Sequence, residues 1–66
     1  MSQNESILSA LKSGQELTPA DALARFGVFR LAARIDELRA RGYSIQTTMR
    51  TVPGRHGPSR VAVYRL

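Results

Sequence analysis

Arginine is the residue type that offers chemistry in this sequence, and it is bunched. Arg30 and Arg34 stand four residues apart, a spacing that puts both side chains on one face of a helix. Arg50, Arg55 and Arg60 lie in or beside the stretch Val52-Pro53-Gly54-Arg55-His56-Gly57-Pro58-Ser59, with two prolines and two glycines in eight residues. Guanidinium groups so placed can clamp phosphates or donate in pairs to O6 and N7 of a guanine. Catalysis has less to work with. His56 is the single histidine, and a lone imidazole among glycines is better suited to touching a phosphate than to acid–base work. Asp36 and Glu37 are adjacent, about 100° apart on a helix, and do not converge on one proton. Gly54-Arg55-His56-Gly57 lacks the lysine and the following helix of a phosphate-cradling loop. There is no cysteine, which removes disulfides and Cys-based zinc sites. The expectation is no catalytic residue, no metal and no cofactor: not an enzyme.

Charge points the same way as the arginine spacing. Ten Lys and Arg stand against five Asp and Glu, a net of +5. Residues 1–37 hold four bases and five acids, a net of −1, whereas residues 38–66 hold six arginines and no acid. A half-chain without counter-charge of its own is expected to meet a polyanion. The competing account is a solvated face, with Arg34 paired to Asp36 or Glu37 and the later arginines guarding an edge strand. Sixty-six residues suffice for one small domain with a thin core. No apolar run nears the roughly 20 residues that cross a bilayer, and Met1-Ser2-Gln3-Asn4-Glu5 does not begin a secretion signal. The reading is therefore a soluble, cytoplasmic domain with no membrane partner.

The elements that must position these arginines are three helices and a hairpin. Asn4 is read as the cap of a first helix over about 4–13, with Ile7, Leu8 and Leu11 as its stripe and Gly14 as its stop. Thr18, Pro19 and Asp21 announce a second helix over 19–26, close to a capping box, with Ala20, Leu23 and Ala24 as its apolar face. A third helix spans about 29–41, with Leu31, Ile35 and Leu38 buried and Gly42 ending it. From Tyr43 the period changes to two, predicting strands over about 43–52 and 60–66. In the last strand Ala62, Tyr64 and Leu66 are expected to face the helices, with Val61 and Val63 outward. The fold class is α+β.

Two short helices around a turn containing Gly27, the second bearing arginines, match a helix-turn-helix, and Val28 is the apolar plug after the turn. The hairpin makes it a winged form, its loop flanking the third helix. A major groove about 12 Å wide admits one such helix. Arg50, Arg55, His56 and Arg60 would then reach the flanking backbone or a narrow minor groove.

The run Pro19-Ala20-Asp21-Ala22-Leu23, continued by Gly27-Val28-Phe29-Arg30-Leu31-Ala32-Ala33-Arg34-Ile35 and by Leu38-Arg39-Ala40-Arg41-Gly42-Tyr43-Ser44-Ile45, resembles the small winged helix-turn-helix domains common in bacteriophage and prophage proteins. Val63-Tyr64-Arg65-Leu66 is similar to their final wing strand. The resemblance runs from about residue 5 onward. It implies a DNA-binding fold in which Arg30, Ala33 and Arg34 face DNA, but no single biological role. Phe29 departs from the pattern, standing where a Ser or Thr often caps the third helix; exposed, it would read a thymine methyl or meet a protein.

These residues support double-stranded DNA binding, in a phage or prophage regulator or in a packaging or recombination accessory. A footprint this small binds weakly alone, so the reading includes a homodimer or tandem occupancy, with Val61 and Val63 as the joining surface. The rival is a protein-interaction module that docks on a host or phage protein such as a polymerase or nuclease; structured RNA shares only the charge argument. The DNA reading requires the guanidinium groups around 30–34 and 50–60 to serve one surface.

Overall fold

The computed structural model describes residues 2–66. In chain order it holds α1 (Gln3–Lys12), α2 (Pro19–Phe26), α3 (Leu31–Ala40), β1 (Gln46–Val52) and β2 (Ser59–Arg65). This is the expected α+β architecture, three helices followed by a two-stranded antiparallel hairpin.

Capping explains where the helices begin. Ser2, not Asn4, caps α1: its hydroxyl accepts from the Glu5 amide at 3.2 Å. Asn4 lies inside the first turn, where its side chain is released for another contact. At α2 the capping box is complete. The Asp21 amide donates to Thr18 Oγ1 at 3.1 Å, and the Thr18 amide donates to Asp21 Oδ2 at 3.2 Å. Gly27 closes α2 at φ 67°, its amide donating to the Leu23 carbonyl at 3.0 Å. A side chain in this left-handed conformation is strained, which is why the turn carries glycine. The third helix starts two residues later than expected. Arg30 is its N-cap and makes no side-chain cap bond, because neither Phe29 nor Arg30 has a short acceptor to offer.

The core is one cluster of Ile7, Ala10, Leu11, Leu17, Ala22, Val28, Leu31, Ile35, Leu38, Ile45 and Tyr64, with Leu8, Phe26, Tyr43 and Ala62 packed at its margin. The stripes expected for the first and third helices are therefore present. The face of α2 is not the expected one. Ala22 and Phe26, four apart, turn inward, while Ala20, Leu23 and Ala24 are exposed. A small residue at the crossing lets α2 lie close to its neighbours, and Leu23 is displaced outward.

The hairpin begins at Gln46, not Tyr43, in a register that pairs Gln46 with Arg65, Met49 with Ala62 and Val52 with Ser59. Its other edge is also used. Leu17 bridges to Tyr64 through two backbone bonds of 2.8 and 2.9 Å, so the α1–α2 connection adds a one-residue third strand. Tyr64 joins the core cluster and Ala62 packs against it, as expected of the inward face. Val63, expected outward, is nonetheless fully buried and Val61 half-buried, while Leu66, expected inward, is exposed. Every residue from 53 to 60 is exposed, and the molecule measures 37 × 22 × 20 Å, its far end a projecting wing.

Candidate nucleic-acid interface

The arginines divide into those that are held and those that are not. Arg34 Nη2 meets Glu37 Oε1 at 3.2 Å, and Glu37 Oε2 accepts from the Asn4 amide group of α1 at 3.4 Å. Arg34 is thereby half-buried on the flank of α3 that faces α1, with its Nε unpartnered. Arg50 Nη2 donates to Glu16 Oε2 at 2.8 Å, tying β1 to the segment before α2. Arg39 is structural. Its Nε and Nη2 donate to the Ile45 carbonyl at 3.1 and 2.7 Å, Nη2 also reaches Thr47 Oγ1, and Asp36 sits 3.8 Å away. This fork fixes the turn between α3 and β1.

Three arginines thus spend their charge on Glu16, Asp36 and Glu37. Among the described residues, Arg30, Arg41, Arg55, Arg60 and Arg65 have no carboxylate within ion-pair range, and Arg25 lies over the Phe26 ring at 5.0 Å. Asp21 is occupied in its capping box. Little negative charge is left to offset the unpaired cations.

The candidate residues gather in two places. Phe29, Arg30 and Arg34 line a recess with Gln3, Gly27 and Val28, where the end of α2 meets the start of α1. Arg60 lines a second recess with Thr18, Pro19, Ala20, Val52, Val61 and Ala62, at the start of α2. Arg55 and His56 sit beyond it in the exposed wing tip, where the Gly57 amide donates to the Gly54 carbonyl at 3.3 Å. A Cβ at Gly54 would come within 2.5 Å of the Gly57 carbonyl oxygen, so the tip cannot close around a side chain there. The two recesses lie at opposite ends of an eight-residue helix, about 12 Å apart at 1.5 Å per residue. Ala33 is half-buried and presents only a methyl.

The exposed surface of α3 proper is not basic. Ala32, Asp36, Arg39 and Ala40 are its exposed residues, and Arg39 is already engaged. The unpaired cations of this element are its two caps, Arg41 at the end and Arg30 at the front, the latter beside an uncapped first turn and the 85% exposed ring of Phe29. The pairing of Arg34 with Glu37 could be read from their spacing. The Arg50–Glu16 contact and the Arg39 fork had no sequence signal, because each depends on where a strand comes to lie.

Among the described residues, no three His, Asp or Glu side chains gather where they could hold a metal, and no helix is long and apolar enough to cross a membrane. Neither the curated proteins nor the solved structures contain a match to this chain. A family model does match, over residues 2–66. Its description is a winged helix-turn-helix domain; with two helices joined by the Gly27 turn and a hairpin after the third element, the chain belongs to that family, whose members are typically DNA-binding, non-enzymatic modules.

Proposed function

We propose that the protein binds double-stranded DNA with the front of α3 in the major groove and the wing on the adjoining backbone or minor groove. The observation that carries this reading is the set of exposed, carboxylate-free arginines at both ends of α2, Arg30 on one side and Arg55 and Arg60 on the other. Arg30 and the recess that Arg60 lines stand at opposite ends of α2, a helix about 12 Å long, and Arg55 extends the second group into the wing, so the two groups can meet phosphates along one duplex. The uncapped amides of α3 add partial positive charge beside Arg30. Arg34 and Arg50 join these contacts only by leaving Glu37 and Glu16. The setting we propose is regulation, packaging or recombination in a phage or prophage, within the bacterial cytoplasm. It rests on the resemblance of the Arg30–Ile45 region to domains common there.

A salt titration of duplex binding tests the reading. If Arg30, Arg55 and Arg60 each neutralise one phosphate, log affinity falls against log salt with a slope of about −2.7. A flat line, or no duplex binding at low salt, refutes it. One observation favours the second reading, protein docking. The exposed face of α2, with Leu23 at 45%, adjoins the recess walled by Val52, Val61 and Ala62. Undetectable duplex binding at about 50 mM salt, with another protein co-purifying, would favour this second reading.

A further inference from the structure

Phe29 is the most exposed large apolar side chain among the described residues, and its position is hard to explain by folding. At 85% exposure it contributes almost nothing to the core, which Phe26 and Val28 serve on either side of the turn. It does not cap α3, and no cation lies over its ring, whereas Arg25 covers Phe26. Gln3, Arg30 and Arg34 share its recess with Gly27 and the buried Val28, so the exposed groups beside the ring are polar or charged. An apolar anchor for a protein partner is normally the centre of a wider apolar patch. This ring stands alone beside cations, which suits an apolar spot on a polyanion.

Duplex DNA has such a spot in its major groove, the 5-methyl group of thymine, for which Phe and Ala side chains are the matching contacts. The leading residues of a recognition helix are those that reach base edges. Here they are Phe29 and Arg30, followed by Ala32, exposed and small enough to let the base edges approach. The rest of the exposed helix offers a methyl at Ala40 and the Asp36 carboxylate, and its one further unpaired guanidinium is Arg41, at the far cap.

Resting on the DNA reading above, we infer that Phe29 is a specificity residue that reads thymine by its methyl group, while Arg30 holds the neighbouring phosphate or guanine. The protein therefore prefers thymine-bearing steps for an apolar reason.

The test compares two mixed-sequence duplexes, identical except that one carries deoxyuridine at every thymine and so lacks the methyl groups. Burying one methyl corresponds to about four-fold in affinity, so wild-type protein should bind the thymine duplex at least about four-fold more tightly. Phe29→Ser should bind both alike while keeping the wild-type salt slope and melting temperature, since the ring supports neither the fold nor the phosphate contacts. Equal wild-type affinity for the two duplexes, on a steep salt slope, overturns this inference and leaves DNA binding standing. A thymine preference that persists in Phe29→Ser also overturns it, because the methyl would then act through DNA shape or another residue. Absence of salt-dependent binding to either duplex overturns both readings.

Discussion

The contact between Glu16 and Arg50 offers a perturbation with the unusual sign, a substitution expected to strengthen binding. The pair is short, 2.8 Å, but its side chains are 56% (Arg50) and 44% (Glu16) exposed, so water and salt screen it heavily. Such pairs contribute about 0–1 kcal/mol to stability, and Glu16→Gln should lower the melting temperature by no more than a few degrees. Its effect on binding is larger. With Glu16 neutral, Arg50 is released beside the wing and can neutralise one further phosphate. The slope of log affinity against log salt should steepen from about −2.7 to about −3.6. Between 50 and 200 mM salt, wild-type affinity would fall about 40-fold and that of the variant about 150-fold. Fluorescence anisotropy with a labelled duplex reads both slopes. Glu5→Gln is the control, because it removes the same formal charge from a carboxylate that holds no arginine. Equal slopes for Glu16→Gln and wild type refute the argument, as does equal steepening in Glu5→Gln, which would reduce the effect to net charge.

Other expectations follow from single contacts. Arg55→Ala should weaken binding to all sequences alike and flatten the salt slope by about 0.9, whereas Arg30→Ala should cost about 1–3 kcal/mol and relax preference at one base pair; competition binding with a panel of duplexes separates them. Gly27→Ala meets no atom within 4 Å, so its cost is the left-handed backbone alone. That is about 1–2 kcal/mol by urea unfolding, with the native far-ultraviolet circular dichroism retained. Arg39→Ala removes a charged fork from the Ile45 carbonyl; partly exposed, it should cost about 1–2 kcal/mol in the same unfolding assay and leave the salt slope unchanged.

Local chemistry was the legible part of this sequence. The Thr18–Asp21 box and the Gly27 stop each need only residues within four or six positions, and α2 has the bounds they announce. Leu31, Ile35 and Leu38 form a stripe because one helix alone decides it. What failed depended on partners distant in the chain. Periodicity cannot reveal a strand one residue long, so the Leu17–Tyr64 bridge was invisible; the burial of Val63, on the face opposite Tyr64, was also missed. The face of α2 was misread because counting hydrophobic side chains favours Leu23, whereas close crossing favours Ala22. In the candidate interface the sequence located the arginines but not their engagements. Arg30 was legible as a contact residue of the third helix, while the role of Arg39 as the clasp of the α3–β1 turn was not.

The bridge between Leu17 and Tyr64 has a consequence for how this domain comes into being. It joins positions 47 residues apart. During synthesis the helices can pack on one another, through Ile7, Leu11, Leu31, Ile35 and Leu38, while the Leu17 amide and carbonyl still face water. Those two groups find their partner only when β2 has left the ribosome. A chain cut short before Tyr64 would keep its helices but leave the Leu17 backbone unpaired and the core without the Tyr64 ring.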